Sequence, residues 1–117
     1  MHEMGIIAGV LDAVNASAHE AGATCVLRVD LRVGEMTEAI PDALNFAFEA
    51  LSEGTLSEGA ELAINMVEPT SICLECSNEF EHDRFHRTCP ACGSYETVLL
   101  TGRELEIASI EVDLPDD

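Results

Sequence analysis

The sequence has no lysine and no tryptophan, and its only basic residues, apart from four histidines, are five arginines. These arginines face 23 aspartates and glutamates, which gives a formal net charge of −18 at pH 7. A surface of that sign repels phosphate groups, which argues against a nucleic-acid-binding protein and against docking on anionic lipid. The charge indicates a soluble acidic surface of the kind that a salt-rich cytosol tolerates, because dissolved ions screen the repulsion.

Aromatic residues are also scarce, at 4% of the chain, whereas 47% of the residues are hydrophobic. The core is therefore expected to consist mainly of aliphatic side chains. No run approaches the roughly 20 apolar residues of a membrane span, and the short apolar stretch 5–11 lies between Glu3 and Asp12 rather than behind a basic segment. We therefore expect a cytoplasmic protein whose cysteines are thiols or metal ligands rather than disulfides.

Apolar periodicity predicts two helices and three strands. The helices are expected from Met4 to about Glu20 and from about Pro41 onward, and the strands at 24–33, 60–68 and 103–114. The predicted fold class is α+β, with two helices packed on a small three-stranded mixed sheet and an inserted four-cysteine zinc-ribbon-like domain. Residues 1–69 and 100–117 would form the α+β domain and residues 70–99 the insert.

The first of these strands alternates strictly between apolar and polar residues. Such a period of two predicts one buried face and one wet face. The residues expected on the buried face are Cys25, Leu27, Val29, Leu31 and Val33. Cys25 is accordingly interpreted as a small buried hydrophobic residue.

Two C-x-x-C segments, Cys73 to Cys76 and Cys89 to Cys92, lie twelve residues apart. Two thiolates three residues apart can reach one ion from a tight turn, so two such turns complete a tetrahedron of sulfur that suits zinc better than iron. Gly93 follows the second turn, where a positive φ would direct backbone N–H groups toward the sulfurs. Four thiolates fill the coordination shell, so the zinc is expected to be structural and the protein not to be an enzyme.

Two other interpretations of these cysteines stay open. The segments could be redox-active pairs, although redox pairs usually sit at a helix N-terminus that follows a strand. The second segment is also similar to an iron-binding turn of rubredoxin, which would make the protein an electron carrier. A nucleic-acid-binding zinc ribbon is disfavoured, because the insert carries more acidic residues than arginines. The acidic residues near the two cysteine segments are Glu75, Glu79, Glu81, Asp83 and Glu96, and the arginines are Arg84 and Arg87.

The amino-terminal residues Met1, His2 and Glu3 offer a second set of metal ligands. If the free amine stays on Met1, then that amine, the amide nitrogens of His2 and Glu3 and the His2 imidazole can form adjoining chelate rings around one ion. An all-nitrogen, near-planar donor set suits Ni(II) or Cu(II) rather than zinc. Such a site would release protons on binding metal and would weaken as the pH falls.

Together these motifs resemble the HypA family of nickel metallochaperones for hydrogenase maturation, which in some organisms also serve urease. The resemblance covers nearly the whole chain. It depends on the initial Met-His-Glu, on Val33-Gly34-Glu35 after the first strand, on the two cysteine segments and on a closing motif. The closing motif comprises Gly102, Glu104, Leu105, Ile107, Ile110, Glu111 and Val112.

The resemblance implies nickel bound by Met1, His2 and Glu3 and structural zinc bound by Cys73, Cys76, Cys89 and Cys92. It implies a HypB-type GTPase and a hydrogenase large-subunit precursor as partners, and urease accessory proteins in some members. Some members also carry an acidic residue in the loop before the second helix. In this sequence Ile40 stands at that position, with Glu38 and Asp42 beside it.

A zinc-ribbon protein-interaction module without metal transfer is the second interpretation of the function. His82 and His86 lie beside the cysteine segments, and we expect them to face solvent or to contact a metal ligand rather than the metal itself. The sequence leaves open whether hydrogenase or urease is the client. It also leaves open the oligomeric state.

Overall fold

The computed structural model describes residues 2–115, and the chain forms two compact units. The first unit comprises residues 1–31, 39–65 and 106–117, and the second comprises residues 32–38 and 66–105. The boundaries predicted from the sequence, at 69/70 and 99/100, separate two parts that we expect to fold independently. They stay a prediction. In chain order the elements are α1 (Glu3–Glu20), β1 (Cys25–Gly34), a 3₁₀ turn (Glu35–Thr37), α2 (Pro41–Ser52), β2 (Glu61–Val67), β3 (Thr70–Cys73), β4 (Glu79–Glu81), β5 (Thr97–Thr101) and β6 (Leu105–Asp113).

The core of the first unit consists mainly of buried residues from the two helices, which pack against each other, and from β1 of the sheet of β2, β1 and β6. Both helices bury one stripe of residues three or four apart, as the sequence predicts. Pro41 occupies the start of α2, where its missing N–H has no helical partner to lose, and Gly22 follows α1 with a φ of +73°. The buried apolar residues of the two helices are Ile7, Val10, Leu11, Val14, Ala18, Leu44, Ala47 and Phe48.

The three strands of this sheet lie in the order β2-β1-β6. The Thr24 N–H donates to the Asp113 carbonyl at 2.8 Å, and the Gly34 N–H donates to the Glu104 carbonyl at 2.7 Å. The start of β1 therefore pairs with the end of β6, which makes this pair antiparallel. Together with the helices and the four-cysteine cluster, this sheet confirms the predicted α+β fold class. No helix within residues 2–115 is long and apolar enough to cross a bilayer.

The predicted buried face of β1 is correct only in its second half. Val29 and Leu31 are buried as expected, but Leu27 is 49% exposed and Val26 is buried in its place. Two residues rather than one separate the buried Val26 from Val29, so the alternation changes phase at that point. Cys25 is consequently half-buried, which corrects its interpretation as a fully buried residue.

The second unit contains a small sheet that the sequence did not predict. Its strands lie in the order β4-β3-β5, and β3 pairs antiparallel with both neighbours. These strands are only three to five residues long, which is too short for a period of two to be recognised. The sheet carries the cysteine segments at its ends.

Two glycines of the family motifs lie against each other in the second unit. The Gly34 N–H donates to the Glu104 carbonyl, and the Met36 N–H donates to the Gly102 carbonyl at 2.7 Å. A Cβ at position 34 would overlap the Gly102 carbonyl group, and Gly102 has a φ of +122° with the Pro69 backbone close to it. Neither position has room for a side chain, because each faces a fixed backbone.

We predict that Gly34→Ala destabilises the folded protein by about 1–3 kcal/mol, because the added methyl group overlaps backbone that cannot move aside without breaking hydrogen bonds. Urea unfolding of the wild type and the variant measures the difference. Gly9→Ala is the matched control, since Gly9 lies within α1 with nothing near its missing Cβ. That control should gain up to about 1 kcal/mol from the better helix propensity of alanine. Equal stability of Gly34→Ala and the wild type would contradict the prediction.

Candidate metal centres

The second unit brings the four predicted zinc ligands together at the ends of its short sheet. Cys73 is the last residue of β3, and Cys76 lies in the turn that follows it. Cys89 and Cys92 form a second turn between β4 and β5. Within residues 2–115, these four side chains are the only group of three or more His, Cys, Asp or Glu side chains close enough to hold one ion.

The distances between the sulfur atoms fit a zinc ion. All four Sγ atoms lie within 4.8 Å of one another. The Cys73 and Cys92 sulfurs are 3.5 Å apart, and the Cys76 and Cys89 sulfurs are 3.6 Å apart. A regular tetrahedron with sulfur about 2.3 Å from zinc has edges of about 3.8 Å. The donor set and its size therefore match a closed structural site.

The two cysteine turns share one backbone pattern. The Ser77 N–H donates to the Cys73 carbonyl at 2.9 Å, and the Gly93 N–H donates to the Cys89 carbonyl at 2.8 Å. Ser77 has a φ of +62° and Gly93 a φ of +76°. A positive φ at this position is needed to close each turn around its sulfurs. Gly93 is where the sequence predicts it, but Ser77 gives no signal in the sequence because serine rarely adopts this conformation.

Backbone N–H groups, burial and contacts between the sulfurs give the thiols of the cluster different pKa values. Burial raises the pKa of the Cys89 thiol, but the N–H groups of Cys92 and Ala91, together with the side chains of Cys76 and Asn78, outweigh burial and lower this pKa to about 6. At Cys92 the Ser94 N–H favours the thiolate, but the hydrogen bond with the Cys73 sulfur, together with burial and the other sulfurs, raises the pKa to about 12. Some of these thiols therefore keep their protons until a cation replaces them, and metal binding must release protons.

Asn78 contributes a contact that the sequence did not predict. Its side-chain amide lies 3.7 Å from the Cys89 sulfur and donates toward it, which connects the first turn with a ligand of the second. Donors of this kind spread the excess negative charge of four thiolates around one divalent ion. Asn78 also supplies the carbonyl that accepts the Cys73 N–H at 2.9 Å.

The two histidines beside the cysteines make hydrogen bonds within the second unit. His82 Nε2 lies 2.7 Å from the Ser71 hydroxyl and His82 Nδ1 lies 2.6 Å from the Asp83 carbonyl oxygen. The exposed His86 contacts the Asp83 carboxylate through Nδ1 at 2.9 Å. Neither ring belongs to the four-sulfur cluster.

The amino-terminal residues lie at the start of α1 in the first unit. Met1 falls outside the described residues. His2 precedes the helix, with its imidazole exposed and its carbonyl accepting the Ile6 N–H at 2.9 Å. The N–H groups of a first helical turn have no partner inside their helix. The exposed His2 side chain is thus placed where an ion from solvent can reach it.

The Glu3 side chain points away from solvent and contacts the residue before α2. Glu3 is 8% exposed, and its carboxylate accepts the Ile40 N–H at 3.0 Å. Position 40 therefore lies next to Glu3, although Ile40 itself provides no carboxylate. Of its neighbours, Asp42 lies in the first turn of α2, and the Glu38 carboxylate pairs with Arg84 at 3.0 Å within the second unit. The predicted nickel ligation by Glu3 stays a prediction.

We predict that Glu3→Ala speeds hydrogen exchange at the Ile40 amide and costs about 0.5–1.5 kcal/mol of stability, because the part-buried Ile40 N–H loses its acceptor. Glu3→Gln should behave nearly as the wild type, since its side-chain carbonyl can still accept this hydrogen bond. Amide exchange followed by NMR on the full chain distinguishes the two variants. The role assigned to this carboxylate is wrong if Ile40 exchanges equally slowly in Glu3→Ala.

A known protein family and several of its members match nearly the whole chain. The family described as "Hydrogenase/urease nickel incorporation, metallochaperone, hypA" matches residues 1–112. The hydrogenase maturation factor HypA of Chlorobium luteolum is 37% identical over 113 residues, covering 97% of both chains. HypA of Chlorobium phaeobacteroides is 41% identical over 113 residues, covering 97% of this chain and all of the relative.

A solved structure shares the fold. The solution structure of the nickel metallochaperone HypA from Helicobacter pylori superimposes with a TM-score of 0.69. It covers 98% of this chain and the whole of that one, at 23% sequence identity. At this identity the likeness establishes the fold alone.

Proposed function

The chain belongs to the HypA family of nickel metallochaperones for hydrogenase maturation, and on that premise we propose that it binds Ni(II) at its amino terminus and delivers the ion to a [NiFe]-hydrogenase precursor. The family consists of metallochaperones rather than enzymes, which confirms that the protein is not an enzyme. In this proposal nickel is cargo, and a second metal, zinc, is a resident structural ion.

The zinc part of the proposal is supported by the four-sulfur cluster. Cys73, Cys76, Cys89 and Cys92 would hold the ion, because their sulfurs already have the spacing of a tetrahedral site. When bound, zinc would neutralise two of the four thiolate charges and tie the two turns together. The ion would take no part in transfer, since four protein ligands leave no position for an incoming group.

The nickel part of the proposal is supported by the exposed His2 at the beginning of α1. This imidazole, the adjoining backbone nitrogens and the amine of Met1, where Met1 is the first residue of the mature chain, make a nitrogen-rich donor set that suits Ni(II). A nickel ion that is carried to another protein must also be able to dissociate from its carrier. An exposed terminal site with protonatable ligands permits exchange, whereas the four-cysteine site, with two of its cysteines buried, does not.

We infer that the partners are a HypB-type GTPase and the hydrogenase large-subunit precursor, with urease accessory proteins as further partners if the organism makes urease. Family membership supports the hydrogenase-related partners most directly. The net charge of −18 disfavours nucleic acid as a partner, since both surfaces carry the same sign of charge.

The proposed transfer can be tested with purified components. Untagged protein loaded with one nickel and one zinc should raise hydrogenase activity when incubated with a nickel-free large-subunit precursor and the GTPase. Protein loaded with zinc alone should not raise it. Metal analysis of the separated proteins should find that nickel has moved and zinc has stayed. Tight association without any movement of nickel would favour the alternative, a zinc-ribbon interaction module that transfers no metal.

A further inference from the structure

A small cavity beside the second cysteine turn lies outside both metal sites. We call it the Arg87 pocket, and its lining residues are Phe85, Arg87, Thr88, Tyr95 and Thr97. Its volume is about 370 Å³, which is enough for one or two side chains of a partner segment. Two of the five phenylalanine and tyrosine residues of the chain stand at this pocket with most of their surface in solvent, since Phe85 is 74% exposed and Tyr95 is 85% exposed.

Local hydrogen bonds hold the walls of the Arg87 pocket. The Thr97 hydroxyl donates to the Arg87 carbonyl at 3.1 Å, which joins the two sides. The Asp83 carboxylate accepts the Phe85 N–H at 2.8 Å and so fixes the turn that presents the Phe85 ring. The Arg84 guanidinium lies over that ring, 5.0 Å from its centre. The exposed aromatic side chains therefore project from a fixed backbone.

Arg87 carries the polar group that points to a ligand. Its Nε–H is buried and has no hydrogen-bond partner among the described residues. A buried guanidinium donor without an acceptor costs stability, because it has lost water and gained nothing in exchange. A carboxylate that entered the pocket would give this guanidinium a charged acceptor, and terminal N–H groups of an arginine can hold a carboxylate in a bidentate pair.

The charge of the Arg87 pocket differs from that of the rest of the chain. None of its five lining residues is acidic, although the chain has 23 acidic residues and five arginines. Arg84, which lies over the Phe85 ring, is already paired with Glu38. Arg87 thus offers a cation between aromatic and hydroxyl groups, which is the composition that anchors an acidic peptide side chain.

We propose that the Arg87 pocket is a docking site for a short acidic segment of a partner protein, with one carboxylate on Arg87 and an adjacent aliphatic side chain between Phe85 and Tyr95. A polyphosphate chain is disfavoured, since the acids around the cysteine turns would repel a long anion but tolerate one or two charges. This docking site is independent of the nickel site, so it stands whether or not the amino terminus binds nickel.

Tyr95 makes the test direct, because the chain has one tyrosine and no tryptophan, so its intrinsic fluorescence reports on the pocket alone. The probe is an acetylated Leu-Asp-Leu-Asp peptide, titrated into the zinc-loaded full chain. We expect a saturable fluorescence change with this peptide and none with Leu-Asn-Leu-Asn. Arg87→Gln should raise the Kd by at least about tenfold, the loss expected for a hydrogen-bonded charge pair.

Arg103→Gln is the matched control, because it removes the same charge from an exposed arginine outside the pocket, and it should leave the Kd unchanged. Arg87→Lys keeps the charge without the bidentate geometry and should fall between the wild type and Arg87→Gln. Equal zinc content in all variants confirms that they are folded. The proposal is overturned if the two peptides bind equally, if Arg103→Gln weakens binding as much as Arg87→Gln, if a short RNA binds more tightly than the acidic peptide, or if the peptide gives no saturable change at millimolar concentration.

Discussion

Replacing Cys89 with serine should empty the four-cysteine site and unfold residues 70–99 while leaving the helices folded. Cys89 is 1% exposed, and its sulfur lies 3.6 Å from that of Cys76. Its loss leaves three thiolates and an opened coordination shell, so the affinity for zinc should collapse. Bound zinc is worth on the order of 10 kcal/mol to a small metal-dependent domain, so the loss of one of its ligands is expected to have a large effect.

The loss should be local because the insert has little apolar core of its own. We propose that residues 70–99 fold only around the ion, whereas residues 1–69 and 100–117 fold around the aliphatic stripes of α1 and α2. Hydrogen exchange on Cys89→Ser should therefore show fast exchange throughout β3, β4 and β5. The amides of the central strand β1 should stay protected, since the buried Val29 and Leu31 belong to the other core.

Cys25→Ser is the matched control for this experiment. Cys25 is the one cysteine of the chain outside the two turns, and it lies at the start of β1. Metal analysis should find one zinc per chain in this variant and none in Cys89→Ser. Full zinc content in Cys89→Ser would disprove the assignment of the ligands, and simultaneous loss of protection in β1 would disprove the separate folding of the insert.

Replacing His2 with alanine should weaken nickel binding by more than about 100-fold, since even the supporting partners of a metal ligand contribute 10–100-fold. The variant removes the imidazole of a donor set that otherwise consists of the Met1 amine and backbone nitrogens. The same effect should follow from acetylating that amine. Binding should also weaken as the pH falls, because protons compete with nickel for the imidazole and the amine.

Calorimetry on untagged protein with a verified amino terminus measures the affinity for nickel. His19→Ala is the matched control, because His19 is an exposed histidine at the far end of the same helix, and it should bind nickel as the wild type does. Zinc content should be the same in both variants. Unchanged nickel affinity in His2→Ala would place the nickel site elsewhere, and His82 and His86 would become the next candidates.

Most of the candidate zinc site could be predicted from the sequence, because the geometry of a C-x-x-C turn is local. Two thiolates three residues apart meet on one side of a turn whatever surrounds it. The contacts that complete the site could not be predicted in this way. Asn78 contacts Cys89 from the other turn, and Ser77 adopts a positive φ that its residue type does not suggest.

The contacts of the two family glycines, Gly34 and Gly102, could not be predicted from the sequence either. Gly34 and Gly102 are recognisable in the sequence as parts of separate motifs. Only the structure shows that a side chain at position 34 would overlap the Gly102 carbonyl, and that a side chain at position 102 would meet Pro69 and Met36. Positions 34 and 102 are 68 residues apart, and a single sequence does not record which distant segments come together.

The sequence by itself determined the aliphatic stripes of the two helices, the placement of Pro41 and Gly22 at helix ends and the four thiols of the cysteine turns, since each depends on neighbours within a few residues. Tertiary structure alone decided the phase of β1 at Val26, the second small sheet, the contact of Glu3 with Ile40 and the unpaired Nε of Arg87. These features join segments that are distant in the chain or depend on which side chains and solvent surround a group. Local preference does not fix them, because their energies arise only when the separate segments are packed together.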